Sequence, residues 1–258
     1  MILGDSHTHM DQYSPAEIAD VLERAQSAQV GLIVCAGTTI ASSRACIELS
    51  KKYGVCLAGV GIHPMQVEGP VDEEAYNALR DLALSNPRVT CISEIGLDFL
   101  PESPDRSLQY QAFREQIRLA RELRLPIIFH SRESHPEVFR TLWEEKGYEV
   151  GGVMHYFQAD EATAREAIDS GFFISLARPL LRLPELQEVA RKLPLESIVL
   201  ETDAAPQPFK KHRHNWTEPR HVKDVAGKLA ELKGITLEEV AKVTTGNLTR
   251  LLKLDRLT

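Results

Sequence analysis

The chain has 258 residues, 43% of them hydrophobic, and a formal net charge of −7. That length and hydrophobic share suit one domain with a substantial core, while the acidic balance excludes a broad basic face, so any contact with nucleic acid has to be local. No run approaches the roughly 18 apolar residues of a membrane helix, and no charged-then-apolar leader opens the chain.

Apolar runs alternate with amphipathic stretches from end to end. Strands are predicted near residues 3–9, 31–37, 55–63, 89–97, 126–131, 151–157, 172–177 and 198–203. Pro15 to Ala28 places Ile18, Val21, Leu22 and Ala25 on one helical face, and Leu108 to Leu123 does the same with Phe113, Ile117, Ala120 and Leu123. Ser14-Pro15 has the chemistry of a helix start, as do Asp160-Glu161 and Thr217-Glu218-Pro219. Residues 204–217, with Pro206, Pro208 and the run Lys210-Lys211-His212-Arg213-His214, read as a loop, and helices follow near 218–232 and 236–253. Strands apolar at nearly every position are buried on both faces, as parallel strands covered by helices must be. The repeat predicts an α/β fold, a (β/α)8 TIM barrel with residues 1–258 as a single domain. The competing open sheet would gather its ligands at one switch point rather than on many strands. Cys35, Cys46, Cys56 and Cys91 lack CxxC spacing. They are expected to be buried free thiols, which suits a reducing, cytoplasmic setting without membrane attachment.

In such a barrel the C-terminal ends of the strands form one pocket. His7, His9, His63, His130 and His155 fall at those ends, as do Glu94 and Asp203. Four imidazoles (His7, His9, His130, His155) and two carboxylates make a two-metal hydrolytic site. His7 and His9 share a strand face by the period of two and are expected on one metal. Glu94 is placed to reach both metals, one oxygen to each, with His130 and His155 on the second. Asp203 ends the eighth strand beside the first; it is expected to join His7 and His9 and to take a proton from the activated water. Glu94 and Asp203 are thus the expected catalytic residues. Glu201, on the face of Asp203, is a candidate to orient a ligand histidine. His63 is left for a substrate phosphate. Arg132 and Arg178 suit bidentate contact to phosphate oxygens. Lys210, Lys211 and Arg213 form a local basic loop that could steer an anion, against the plainer reading of a solvated charged loop. Imidazoles favour Zn, Mn, Fe or Co, whereas Mg prefers oxygen.

Together these segments resemble the TatD family of metal-dependent deoxyribonucleases, within the amidohydrolase-like superfamily. The resemblance runs through Asp5-Ser-His-Thr-His9, Gly61-Ile-His-Pro64, Ser93-Glu-Ile-Gly-Leu-Asp98, His130-Ser-Arg132, His155-Tyr-Phe157, Glu201-Thr-Asp-Ala204, and Asn215 with Glu218-Pro219. It covers nearly the whole chain. Relatives in the superfamily often carry a carboxylated lysine where this chain has Glu94, which points to the TatD branch. The resemblance implies a binuclear site of His7, His9, Glu94, His130, His155 and Asp203, two divalent ions (Mg, Mn, Zn or similar), and phosphate contacts near His63. It also implies hydrolysis of DNA, taken here as cleavage from the 3′ end of single strands, an activity associated in the family with Mg. Two departures alter the substrate rim and leave the ligands untouched. Tyr156 and Gln158-Ala159 replace a small residue and Ser-Gly, and the eighth loop reads Asp203-Ala-Ala-Pro-Gln-Pro-Phe209. The alternatives are an ester or amide hydrolase with the same site, acting for example on an aminoacyl-tRNA ester, and a non-catalytic metal-binding scaffold.

Overall fold

The computed structural model describes residues 1–254. Eight strands form one sheet in sequence order: β1 (Leu3–Thr8), β2 (Val30–Cys35), β3 (Cys56–Val60), β4 (Val89–Asp98), β5 (Ile127–Arg132), β6 (Gly152–Met154), β7 (Phe172–Leu176) and β8 (Ile198–Leu200). Every neighbouring pair is parallel. Helices α1 (Pro15–Ser27), α2 (Ile40–Lys52), α3 (Glu73–Leu84), α4 (Arg106–Leu123), α5 (His135–Glu144), α6 (Glu161–Asp169) and α7 (Pro184–Lys192) alternate with the strands. After β8 come α8 (Val222–Lys233) and α9 (Leu237–Leu251). This is the (β/α)8 barrel that the alternation of apolar and amphipathic runs predicts.

The barrel closes just past its last strand. The Asp203 N–H donates to the His7 carbonyl at 3.1 Å and the His9 N–H to the Ala204 carbonyl at 2.8 Å. The buried Asp5 carboxyl reinforces the seam, accepting from the Thr202 N–H at 3.0 Å and from its hydroxyl at 2.5 Å. Val34, Leu57, Cys91, Ile128, Val153 and Val199 come from different strands yet pack in one cluster with Leu248 and Leu252. Side chains from opposite walls meet only inside a barrel, so this is the interior layer, and α9 plugs its lower end. The outer faces of the strands pack with Ile18, Val21, Phe113, Ile117 and Val138 of the helices in a second cluster. All four cysteines are buried and free, as expected.

Local chemistry sets the helix ends. The Ser14 N–H donates to Glu17 Oε2 at the start of α1, where Pro15 needs no donor. Asp160 caps α6 by accepting from the Thr163 N–H at 2.9 Å. Thr217-Glu218-Pro219 opens a short 3-10 turn, Pro219–His221, that runs into α8.

β1, β2 and β7 stop one or two residues earlier than the apolar runs suggest, and three strands stop three residues earlier: β3 at Val60, β6 at Met154 and β8 at Leu200. The backbone turns out of the ladder there. Tyr156 takes φ 50° and Asp203 φ 54°, left-handed values that a strand cannot continue. His63, His155 and Asp203 therefore sit on the first residues of the loops. In β4 the reverse holds: pairing with β5 runs on through Gly96↔His130 to Asp98↔Arg132. Gly96 makes this close approach, at φ 145°, where an added Cβ would collide with the His130 carbonyl.

Gly96→Ala should therefore push β4 and β5 apart between Glu94 and His130. Backbone strain and overpacking together should cost about 2–5 kcal/mol, lowering Tm by about 5–15 °C. A melting curve that superimposes on that of the parent protein would contradict this role.

Candidate metal centre

Glu94, mid-strand in β4 and only 2% exposed, lies at the middle of the pocket. Its Oε2 is 3.2 Å from His7 Nε2 and 3.8 Å from His9 Nε2. Its Oε1 faces a different set: His130 Nδ1 at 3.1 Å, His63 Nε2 at 3.3 Å and His155 Nε2 at 3.5 Å. Asp203 Oδ1 approaches His9 Nε2 at 3.2 Å and His7 Nε2 at 3.9 Å. The structure thus brings together every residue that the sequence placed at the metals, and His63 with them.

These contacts are short, yet several are not hydrogen bonds. Both nitrogens of His7, Nδ1 of His9 and Oδ1 of Asp203 are buried without a hydrogen-bonding partner. An orphaned buried polar atom costs about 1–3 kcal/mol. Ligand-type atoms lie within 4.8 Å of one another in three overlapping groups: His7, His9 and Glu94; His7, His155 and Asp203; His63, Glu94 and His130. Polar atoms that converge without pairing fit divalent cations as their missing partners.

Carboxylates and backbone groups behind the pocket decide which nitrogens face inward. His130 Nε2 is 2.9 Å from Asp98 Oδ2 and Nδ1 3.1 Å from Glu94 Oε1; against burial the two carboxylates raise its pKa, and with Asp98 holding the Nε2 proton, Nδ1 is the nitrogen that would yield its proton to a cation. His155 Nδ1 is 3.0 Å from Glu201 Oε1, an ion-pair contact without hydrogen-bond geometry, and its Nε2 faces Glu94. Glu201 also accepts from the Tyr156 N–H at 2.8 Å, pinning the left-handed turn. His63 turns its protonated nitrogen the other way, toward Glu94. Its Nδ1 accepts from the Met65 N–H at 3.0 Å, so its Nε2 carries the proton. An Nε2–H cannot ligate a metal but can donate to an anionic oxygen, which sets His63 apart from its neighbours.

Asp98 was quoted in the sequence motif but given no role. The period of two, which puts Glu94, Gly96 and Asp98 on one face, is the signal for it. Arg132 Nε and Ser103 Oγ donate to Asp98 at 2.8 and 2.7 Å, so Arg132 is tied to the support of His130.

Charge is distributed unevenly over the imidazoles. Burial opposes the charged form of His9, but the Asp203 carboxylate outweighs it and pushes the pKa up to about 9. For His155, burial is likewise overcome, by Glu201 and Glu94, and the value rises to about 10. Burial, helped by the charge on His155, holds His7 down, and burial also lowers His63. Glu94 stays well below the usual carboxylate range: burial opposes its charge, but His63, His155 and His7 outweigh the penalty.

His130, Ser131, Arg132, His155, Tyr156 and Asp203 line a cavity of about 440 Å³ over the centre. Arg178 and Lys210 line a neighbouring cavity instead. Arg213 is anchored elsewhere: it pairs with Glu17 at 3.2 Å and Glu218 at 2.9 Å, and its guanidinium lies 4.2 Å from the Trp216 ring centre. Lys211 lies with it in a larger cleft of about 720 Å³ bordered by α1.

Comparisons with known proteins point to one family. The model of the family "TatD related DNase" matches residues 4–253. The uncharacterized metal-dependent hydrolase YabD of Bacillus subtilis (strain 168) is 34% identical, over 98% of this chain and 100% of that protein. A human relative named deoxyribonuclease TATDN3 is 32% identical, over 96% of this chain and 94% of that protein. The crystal structure of YJJV, a TatD homologue from Escherichia coli K12, superposes with a TM-score of 0.85 at 28% identity, covering 96% of this chain and 97% of that one.

In the metal-free site His9 and His155 hold protons at neutral pH, since their pKa values lie near 9 and 10. A cation has to displace them, so metal binding should release about two protons per chain at pH 7, and apparent affinity should climb with pH up to about 10. Titration calorimetry in buffers of different ionisation heat measures both. Proton-neutral binding with a flat pH profile would contradict this charge distribution.

Proposed function

The chain belongs to the family of TatD-related DNases and is a metal-dependent hydrolase; from that membership we propose that it hydrolyses the phosphodiester bonds of DNA, from the 3′ end of single strands, with two divalent ions shared across Glu94. On this reading residues 1–258 act as one hydrolase domain. One observation carries the proposal: the two oxygens of a single buried carboxylate face different sets of imidazoles, His7 and His9 on one side, His130 and His155 on the other. A lone cation site needs no such division. The relative named a deoxyribonuclease supports the choice of bond. The four buried free thiols suit a cytoplasmic protein. No described helix is long and apolar enough to cross a membrane.

The roles follow from position. His7, His9 and Asp203 with Glu94 Oε2 would hold one ion, and His130 and His155 with Glu94 Oε1 would hold the other. Mg, Mn and Zn are the candidates, the imidazoles favouring the softer metals. Divalent ions supply Lewis acidity, polarising a phosphoryl oxygen and making water acidic enough to attack at neutral pH. Asp203 Oδ1 faces His7 and His9. Its Oδ2 is left to take the proton that the attacking water loses, and the side chain, 32% exposed, is open to that water. The His63 Nε2–H donates to a non-bridging phosphate oxygen. Asp98 and Glu201 would keep the outer nitrogens of His130 and His155 protonated once the inner ones turn to the ions.

A substrate panel tests this directly. The protein is stripped and reloaded with Mg, Mn, Co or Zn. It is then offered a 3′-labelled single strand, a small phosphodiester, an aminoacyl ester and a cyclic amide. Turnover of the strand from its 3′ end is expected. Asp203→Asn should reduce it by about 10²–10⁴-fold at saturating metal. Cleavage confined to the ester or amide would replace the nuclease reading with the hydrolase alternative. Asp203→Asn activity within a few-fold of the parent protein would remove Asp203 as the base.

A further inference from the structure

Beside the metal cavity lies a second one of about 310 Å³, lined by Tyr156, Arg178, Arg182, Gln207, Lys210 and Thr217 among others. Tyr156 lines both cavities, so the two share a wall. Three cationic side chains face the second cavity, and none pairs with a carboxylate among the described residues. The Arg178 guanidinium donates to the Thr217 hydroxyl at 3.0 Å and the Lys210 ammonium to the Asn215 carbonyl at 3.0 Å, both neutral acceptors. The Gln207 carbonyl is taken by the Thr217 N–H at 2.8 Å, which leaves its amide N–H groups as donors. The larger cleft near α1 differs: there Arg24, Arg213 and Arg220 all pair with the buried Glu218.

Unneutralised cations at close quarters repel, and in a chain of net charge −7 counter-charges are plentiful. Here burial and the charge of Arg178 together lower the pKa of Lys210, so the strain of like charge is present and unrelieved. Such a cluster is complementary to an anion, and the forked geometry of arginine suits phosphate oxygens. Arg178 opens the short turn Arg178–Leu181 that follows β7, and its hydrogen bond to Thr217 positions the guanidinium, while Arg182 at the end of that turn is exposed.

We infer that this cavity is an anion subsite, which takes a phosphate of the nucleic-acid strand other than the one being cleaved. The inference rests on the phosphodiesterase reading above. It narrows the substrate to a strand with at least two phosphates, since a substrate with one leaves the subsite empty. A nucleoside joining the two phosphates passes over the Tyr156 ring, whose face can stack a base of any sequence. Tyr156 replaces the small residue usual in the resemblance, and it is the wall that separates the cavities. The substrate-binding part of the rim is then Arg178, Arg182, Lys210 and Gln207, with Arg213 outside it.

The test uses Arg182→Gln and the charge-keeping Arg182→Lys in the metal-loaded protein. On a single-stranded trinucleotide, Arg182→Gln should raise KM about tenfold with little change in kcat, and Arg182→Lys should restore most of the loss. The slope of log(kcat/KM) against log salt should flatten by about 0.7. The loss on bis(p-nitrophenyl) phosphate, which has one phosphate, should be at least about fivefold smaller. Equal losses on both substrates, or none on the trinucleotide, would overturn the subsite. Should the parent protein cleave no phosphodiester, the proposed function falls and binding of a fluorescent phosphorothioate strand decides the subsite alone. A Kd raised about tenfold by Arg182→Gln supports it, and an unchanged Kd overturns it.

Discussion

A carboxylate held in the middle of a buried cage of imidazoles is the constraint on which the rest depends. Glu94 is 2% exposed, and an isolated charge in that position would be too costly to keep. Its neighbours remove the cost: five histidine nitrogens lie between 3.1 and 3.8 Å from its two oxygens. On the proposed reading, bound metal ions would take over that compensation. The architecture serves this arrangement. β4 is the longest strand because it has to carry Glu94 and Asp98 on one face, and Gly96 between them lets β5 approach closely enough to bring His130 alongside. Stability is supplied elsewhere, by the interior layer around Val34, Leu57 and Ile128 that α9 plugs from below. The polar mouth is thereby free to hold orphaned atoms that a core could not tolerate.

The supporting carboxylates turn a cluster of similar residues into one with distinct roles. Asp98 behind His130 and Glu201 behind His155 each claim one ring nitrogen and leave the other facing inward. At His63 a backbone N–H does the reverse, placing the ring proton inward. On the proposed reading, identical side chains would thus offer lone pairs to cations or an N–H to an anion according to the partner on the far side of the ring. Glu201 also fixes Tyr156, so the group that orients a metal-facing histidine also sets the wall between the two cavities.

Much of this was legible in the sequence, because strand ends in a barrel converge whatever their separation along the chain. An HxH pair closing the first strand, a Glu on the fourth and single His residues on the fifth and sixth were enough to assemble the pocket. The helix starts at Ser14 and Asp160 followed from capping chemistry alone. What escaped depended on contacts across the chain. An apolar run gives no sign that the backbone will turn left-handed at Tyr156 or Asp203, so β6 and β8 were read too long. The role of Asp98 needed only the period of two, applied one step further than Glu94. The basic run after β8 looked uniform, yet its members part company: Lys210 turns toward Arg178, while Arg213 is held by Glu17 and Glu218, partners that local sequence does not reveal.

The division of Glu94 between two cations is the central claim, and a metal titration followed by turnover tests it most directly. Metal-free protein is titrated with Mn while bound metal and cleavage of a single-stranded oligonucleotide are measured together. Two ions per chain are expected, with turnover appearing as the second equivalent binds. Full turnover at one equivalent, with no further binding, would contradict the shared carboxylate.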